Sequence, residues 1–97
     1  MYYFYVLYSL KDERLYKGFT ADVERRLIQH NTGKTTSTKN RRPFVLLYFE
    51  EYPEKLQATQ REAWSKSLEG GAALKQLLID KGLLQANGKL NDAGSGG

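Results

Sequence analysis

The stretch LYKGFTADVERRLIQHN, residues Leu15–Asn31, passes directly from a strand pattern into a helix pattern. In a strand, alternate side chains point to opposite faces, so Tyr16 and Gly18 share one face and Lys17 lies on the other. A few residues later, Val23 opens an amphipathic helix pattern. The stretch therefore predicts a strand, a short turn and a helix, and every other element must pack around them.

The predicted helix has recognisable ends. Thr20 is a suitable N-cap residue, and acidic residues follow it in the first turn, where they suit the helix dipole. Val23 and Leu27 form an apolar pair one turn apart, and Gly33 supplies a stop. The helix is therefore predicted to run to about Asn31.

Arg26 and His30 also lie one turn apart in this helix, beside the apolar pair. They are therefore predicted to share an exposed face. Two interpretations remain open at this point. The face is either a solvated basic surface or one half of a site that handles phosphate.

The remaining elements follow from the same kind of pattern. Tyr2–Ser9 is a continuous aromatic and β-branched run, which predicts a strand covered on both faces and paired with a strand at Arg14–Thr20. Phe44–Tyr52 predicts the third strand. Two further helices are predicted near Glu54–Leu68 and Ala72–Lys81, with a break at Gly70 and Gly71 and a stop at Gly82. Their packing candidates are Leu56, Ala63, Trp64 and Leu68 in the first helix, and Leu74, Leu77 and Leu78 in the second.

The predicted order is β-β-α-β-α-α, and the economical fold is a small three-stranded antiparallel sheet flanked by helices, of the α/β (α+β) class. With 97 residues the chain is expected to form one domain over residues 1–82. Residues 83–97 are interpreted as a C-terminal extension. Its small, polar end, NDAGSGG, is predicted to be disordered.

Composition limits the possible classes of protein. The chain is 40% hydrophobic and 27% charged, as in ordinary soluble domains. It has no cysteine, no apolar run near the roughly 18 residues of a membrane span, and no secretory leader pattern. These features predict a cytoplasmic protein without a membrane partner.

The charge is unevenly distributed. Between Lys11 and Arg42 nine Lys or Arg residues face four Asp or Glu, whereas six face seven from Pro43 onward. The polar segment Thr32–Pro43 alone carries four basic residues, and loops of that length are commonly functional or disordered. The basic half points to a polyanion such as nucleic acid, although a merely solvated basic face remains the alternative.

Few of the usual catalytic groups are present. With one histidine and no cysteine, neither a multi-histidine centre nor a zinc site is expected. No glycine-rich phosphate loop, dinucleotide fingerprint or Gly-x-Ser-x-Gly elbow occurs. Tyrosines, arginines and carboxylates remain, and with Mg²⁺ such a set could supply the activated water and the positive charge that phosphodiester hydrolysis needs.

The spacing of these groups resembles that of the GIY-YIG nuclease domain family, over about Tyr2–Leu68. Family members include homing endonucleases, the incision component of the bacterial excision-repair excinuclease, and junction nucleases, and the closest resemblance is to small stand-alone bacterial proteins. The two halves of the motif correspond to residues 3–5 (YFY) and residues 16–18 (YKG). The arginine helix corresponds to VERRLIQHN, the segment TSTKNRRP resembles one common in the stand-alone group, and the family glutamate falls in TQREAWSKSL.

The resemblance implies roles for individual residues. Tyr5 and Tyr16 would position or deprotonate the attacking water. Arg26, assisted by His30, would stabilise the scissile phosphate. Glu62 would hold a single divalent ion, Mg²⁺ or Mn²⁺.

DNA is the implied partner, bound through its backbone without sequence choice. The side chains predicted to contact it are Lys17, Arg25, Lys34, Lys39, Arg41 and Arg42. The chain departs from the family pattern at Tyr3 and Phe4, which replace the first Gly-Ile, and at Lys17, where an apolar residue is commoner. Its third helix also lacks the basic character common in relatives.

The leading hypothesis is a metal-dependent DNA endonuclease with little sequence specificity that acts in repair or on branched DNA. The protein is expected to be a monomer, with an unidentified protein partner as a further possibility. The first alternative is a non-catalytic nucleic-acid binding module on the same fold. The second is a protein-interaction module, which would leave the basic loop, Lys34–Arg42, unexplained.

Overall fold

The computed structural model describes residues 1–91 and contains three strands and three helices in the predicted order. The strands are β1 (Tyr2–Ser9), β2 (Leu15–Thr20) and β3 (Phe44–Tyr52), and the helices are α1 (Val23–Asn31), α2 (Lys55–Lys66) and α3 (Leu68–Asp80). A single 3-10 turn lies at Lys39–Arg41. Within the described residues, no helix combines the length and the apolar character that crossing a bilayer requires.

The three strands form one antiparallel sheet in the order β2-β1-β3. The central strand β1 places Tyr5 opposite Gly18 of β2 and Phe49 of β3. From Phe4 to Ser9 every residue of β1 is buried. The prediction of an antiparallel three-stranded sheet whose first strand is covered on both faces is therefore confirmed.

Helices cover the two faces of the sheet unequally. On one face, Phe4 and Val6 of β1 pack with Leu74 and Leu78 of α3. On the other face a smaller cluster contains Tyr5, Leu7 and Phe44, with Tyr16, Leu27 and Leu46 packed against it. Helix α1 therefore lies over the sheet face that carries Tyr5.

The N-cap of helix α1 lies two residues after the predicted one. Thr20 is still the last residue of β2, and its hydroxyl oxygen accepts a hydrogen bond from the backbone N–H of Asp22 at 3.1 Å. Asp22 is the N-cap, because its carboxylate accepts from the backbone N–H of Arg25 at 3.0 Å. The prediction of Thr20 as the cap is wrong, since an Asp at the end of the turn competes better for this position.

The junction between α2 and α3 also differs from the prediction. The break lies at Ser67, whose backbone N–H donates to the carbonyl of Trp64 and whose hydroxyl oxygen accepts from the N–H of Gly70 at 3.0 Å. Gly70 belongs to the first turn of α3, not to a break. A Cβ there would collide with the carbonyl oxygen of Trp64, so glycine is required by the close approach of the two helices.

The shifted junction changes which residues are buried. Leu68 is 95% exposed and Leu56 is 62% exposed, so these packing predictions are wrong, and Ala63 is exposed as well. Leu68 opens α3 on its outer side because α2 has already ended. The other predictions hold: Trp64 packs against the core, Leu74 and Leu78 are fully buried, and Leu77 packs beside them.

The chain beyond α3 continues to pack on the same core. Leu84 is buried and pairs with Leu90 in an isolated antiparallel bridge. Leu83 and Leu90 also contact the cluster around Leu74 and Leu78. Residues 92–97, to which the prediction of a disordered end mainly applies, lie outside the described residues.

A polar cluster ties α2 to the sheet. The carboxylate of Glu50 in β3 accepts from the hydroxyls of Tyr48 and Tyr52 at 2.5 and 2.7 Å, and from Nε of Arg61 in α2 at 2.8 Å. The Arg61 guanidinium also stacks over Trp64 at 3.9 Å. Burial opposes ionisation of Glu50, but these hydrogen bonds outweigh it and lower its pKa.

Replacing Glu50 by glutamine should destabilise the fold, because it removes the charge that three donors share and leaves a partly buried guanidinium without its anion. We expect Glu50→Gln to lower the free energy of unfolding by about 1–3 kcal/mol in chemical denaturation. Since the pKa of Glu50 is lowered on folding, this stabilisation is present above the pKa of the unfolded chain and is lost as the pH falls. The neighbouring exposed Glu51→Gln is the matched control, and equal effects of the two variants would contradict the assignment.

Candidate active site

Two tyrosines of adjacent strands meet on the face covered by α1. The rings of Tyr5 and Tyr16 lie 6.4 Å apart between centroids, as the alternation of β1 and β2 predicts. Tyr5 extends across Gly18, where an added Cβ would stand 2.5 Å from the Tyr5 hydroxyl oxygen. The glycine of the YKG segment therefore makes room for the tyrosine of the neighbouring strand.

Helix α1 places Arg26 against this pair. Its Nε donates to the Tyr5 hydroxyl oxygen at 3.4 Å, and its Nη1 donates to Oε1 of Gln29 at 3.0 Å. The hydrogen bond to Tyr5 raises the pKa of Arg26, and Tyr16 adds to this effect. The guanidinium is thus a permanent positive charge held from two sides, at the wall of a surface depression of about 330 Å³. Sequence analysis missed Gln29, although its position three residues after Arg26 on one helix face was a usable signal.

His30 is not on the exposed face that the sequence predicts. It is completely buried, with its ring 4.8 Å from that of Tyr16 between centroids. Its Nε2 lies 3.1 Å from the Tyr5 hydroxyl, and its Nδ1 lies 2.8 Å from Oγ1 of Thr38. Burial, with a smaller contribution from the charge of Arg26, lowers the pKa of His30 to about 4. The histidine is therefore neutral near pH 7 and contacts the site from inside.

The basic loop contributes to the burial of His30 through Thr38. Thr38 is fully buried just before the 3-10 turn, and its hydroxyl donates to the carbonyl of Thr35 at 3.4 Å. Asn31, before the loop, is joined to Phe44, after it. The Asn31 amide donates to the backbone carbonyl of Phe44 at 2.9 Å and accepts from its backbone N–H at 2.7 Å. Thr38 was not identified from the sequence, because nothing in the local pattern of TTSTKN distinguishes the buried threonine from its neighbours.

Glu62 lies on α2, and among the described residues no hydrogen bond joins its side chain to Tyr5, Tyr16 or Arg26. Its side chain is 21% exposed and accepts from Nζ of Lys66, one turn later, at 3.3 Å. Burial raises the pKa of Tyr5, and the negative charge of Glu62 adds to this shift, so the two groups interact electrostatically. No cluster of three or more His, Cys, Asp or Glu side chains occurs within residues 1–91. One carboxylate is a donor set that suits Mg²⁺, which retains most of its waters, better than ions that require several protein ligands.

The six predicted DNA contacts divide into two groups. Three are engaged within the protein: Arg41 pairs with Asp12 at 2.5 Å, Arg42 donates to the carbonyl of Lys39 at 2.7 Å, and Lys17 donates to that of Ser65 at 2.8 Å. Lys17 also lies on the sheet face opposite the tyrosines.

The other three side chains, Arg25, Lys34 and Lys39, are exposed and form no hydrogen bond or ion pair with the described part of the chain. Arg25 and Lys34 line one depression beside α1. Arg25 also borders the depression at Arg26. Two of these three cations, Arg25 and Lys34, therefore lie beside the helix that carries Arg26.

The lone histidine provides a direct test of this geometry. We expect His30 to titrate with a midpoint near pH 4, not near 6.5, in an NMR pH titration of its ring signals. The unfolded chain binds a proton on the His30 ring near pH 6.5, and the folded chain binds it only near pH 4. The contribution of neutral His30 to the free energy of unfolding is therefore complete above pH 6.5 and is lost as the pH falls toward 4. A midpoint between 6 and 7 would contradict the buried position.

The family to which the chain belongs follows from comparisons with known proteins. The model of the GIY-YIG catalytic domain matches residues 1–71. The UPF0213 protein of Lactiplantibacillus plantarum is 43% identical over 79 residues, which cover 78% of this chain and 77% of that protein. UPF0213 protein CPE1444 of Clostridium perfringens is 39% identical over 88 residues, or 90% of this chain and 92% of that protein.

Among solved structures, the solution NMR structure of the UPF0213 protein BH0048 from Bacillus halodurans is similar to this chain. The two are 36% identical, the match covers 79% of this chain and 85% of that one, and the TM-score is 0.48. The names of these relatives state a family and no reaction. With the domain model covering β1 to the start of α3, the chain belongs to the GIY-YIG family of nuclease domains.

Proposed function

We propose that this protein is a divalent-metal-dependent DNA endonuclease that hydrolyses phosphodiester bonds with little sequence specificity. The observation that carries the proposal is the placement of Arg26. Its guanidinium is held by Tyr5 and Gln29 at the wall of an open depression, with Tyr16 beside it. A fixed positive charge next to tyrosine hydroxyls suits a phosphate whose negative charge grows during attack by water.

The two tyrosines are proposed to have different roles. In the reaction a water oxygen bonds to phosphorus, the bond to the leaving oxygen breaks, and the water proton must be accepted. Tyr5 is 1% exposed and its hydroxyl already contacts Arg26 and His30, so it is suited to positioning. Tyr16 keeps part of its surface in solvent and is the tyrosine that can reach the attacking water.

Glu62 is proposed to hold the divalent ion, Mg²⁺ or Mn²⁺, as its only carboxylate ligand. When bound, the ion would supply positive charge for the leaving oxygen. The contribution of this chain is to present a carboxylate on α2, which the Glu50–Arg61 contacts fasten to the sheet. When no ion is bound, Lys66 neutralises the Glu62 carboxylate.

DNA is proposed to bind through its phosphates to the exposed cations beside α1. Arg25, Lys34 and Lys39 are suited to this role because their charges are not engaged within the described chain. Such contacts select no sequence, since the backbone is the same for every base pair. The proposal includes action in repair or on branched DNA. Comparing cleavage of linear, flap and four-way-junction DNA tests this part.

Cleavage assays test the catalytic part. With Mg²⁺ we expect nicking of labelled linear, flap or four-way-junction DNA, and its loss with EDTA. Arg26→Ala should lower kcat by about 10²–10³-fold, because it removes charge stabilisation at the phosphate, and Glu62→Gln should abolish the metal-dependent rate. Glu69→Gln, at an exposed position of α3, is the matched control and should cleave normally. If the folded wild type binds DNA yet cuts none of these substrates, the protein is a binding module.

Salt dependence tests the binding surface. In fluorescence anisotropy across a range of salt concentrations, we expect Lys34→Ala and Lys39→Ala each to reduce the slope of log K against log salt by about 1. Arg41→Ala should leave that slope nearly unchanged and lower stability, because Arg41 is paired with Asp12, whose pKa it lowers to about 2. A larger slope change for Arg41→Ala than for Lys34→Ala would contradict this division.

A further inference from the structure

We infer that Thr38 is a positioning residue that fixes His30 in the Nδ1-protonated tautomer and so directs the hydroxyl proton of Tyr5 inward, leaving the Tyr5 oxygen to hold Arg26. The catalytic consequence of this inference rests on the proposed function. The hydrogen-bond direction does not, because it follows from five groups in one continuous chain of contacts.

The chain of contacts has two ends of fixed polarity. At one end, Nε of Arg26 can only donate, and it lies 3.4 Å from the Tyr5 oxygen. At the other end, the backbone carbonyl of Thr35 can only accept, and it lies 3.4 Å from Oγ1 of Thr38. Between them, Tyr5 and Thr38 each approach a different nitrogen of His30, at 3.1 and 2.8 Å.

These ends select one direction for every proton. The Arg26 N–H donates to the Tyr5 oxygen, and the Tyr5 O–H donates to Nε2 of His30. The His30 Nδ1–H then donates to Oγ1 of Thr38, whose own O–H donates to the carbonyl of Thr35. Each buried group thus has a partner for each proton, in agreement with the absence of unsatisfied buried polar side-chain atoms in the described residues.

The reverse tautomer fails at both Thr38 and Tyr5. At Thr38, Nδ1 of His30 would have to accept from the hydroxyl, and the carbonyl of Thr35 would lose that donor. If Nε2 of His30 carried the proton, the Tyr5 oxygen would accept from both His30 and Arg26, and its own proton would need another acceptor. No further hydrogen bond of Tyr5 is present within residues 1–91, and the side chain is 1% exposed. A buried donor without an acceptor is costly, so the Nδ1-protonated form is favoured.

The arrangement gives the basic loop a role inside the site. Thr38 stands eight residues after His30, at the entry to the 3-10 turn that carries Lys39 and Arg41. Folding of this turn therefore sets the orientation of the Tyr5 hydroxyl and, through it, of Arg26. The same loop that presents cations to a phosphate backbone also aligns the arginine that faces the phosphate.

The ¹⁵N spectrum of the single histidine tests the inference directly. In uniformly labelled protein at pH 7, we expect the His30 Nδ1 shift to be that of a protonated nitrogen and the Nε2 shift that of an unprotonated one. The chain contains one histidine, so both ring signals are assigned without ambiguity. The opposite pattern, or two protonated nitrogens, would overturn the inference.

Variants assign the effect to Thr38. Thr38→Val removes the acceptor with little change in shape, so we expect the population to move toward the Nε2-protonated tautomer. On the proposed function kcat should fall by roughly ten- to a hundredfold at a nearly unchanged KM. Thr38→Ser keeps the hydroxyl and should retain the wild-type tautomer and rate, and the exposed Thr36→Val is the matched control. An unchanged tautomer in folded Thr38→Val would overturn the role of Thr38.

Two further results separate the possible failures. If Thr38→Val does not fold, Tyr5→Phe is the deciding variant. A tautomer set by Thr38 stays Nδ1-protonated when the tyrosine hydroxyl is removed. A change to the Nε2-protonated tautomer in Tyr5→Phe refutes the inference. If the wild type shows the expected tautomer but cuts no DNA, the hydrogen-bond direction stands and the proposed endonuclease activity fails.

Discussion

The hydroxyl of Tyr5 is the point on which the arrangement of the site depends. It lies over Gly18 of β2, accepts from Arg26 of α1 and stands 3.1 Å from His30, which Thr38 of the basic loop also contacts. A strand pair, a helix and a loop therefore meet at one oxygen atom. Because Tyr5 is almost completely buried, each of these contacts must be satisfied by the protein itself.

The sequence predicts the sheet well because strand patterns are local. The bounds of β1 and β3 agree with those expected from the apolar runs, and the alternation in β2 correctly places Tyr16 on one face and Lys17 on the other. The helix junction is not predictable in the same way. The sequence pattern favours Gly70 as a helix breaker, whereas it lies inside α3 because another helix approaches it closely, and only tertiary packing contains that information.

In the candidate site, too, local patterns predict some features, and others depend on tertiary packing. Tyr5 and Tyr16 come together as strand periodicity predicts, and Arg26 joins them as the family resemblance implies. The burial of His30 and Thr38 was not predicted, since it depends on how a polar loop folds over α1. Likewise, counting positive charges does not show which are free. Arg41 and Lys17 are engaged by Asp12 and by a backbone carbonyl, partners that are 29 and 48 residues away.

The physical environments of the two halves of the site suit different tasks. The inner half, formed by Tyr5, His30 and Thr38, is buried and fixed by directional hydrogen bonds. On the proposed function, the Arg26 that it holds therefore needs little reorganisation during the reaction. The outer half, formed by Glu62 and Lys66, is held weakly. The Glu62–Lys66 pair is exposed on the lysine side and spans one helical turn, and such pairs contribute only about 0.3–0.5 kcal/mol. On the proposed function, a divalent cation therefore has little to displace at Glu62. A preformed inner half with an exchangeable outer half is then the arrangement we expect of an enzyme that must bind and release both a metal ion and a long polyanion.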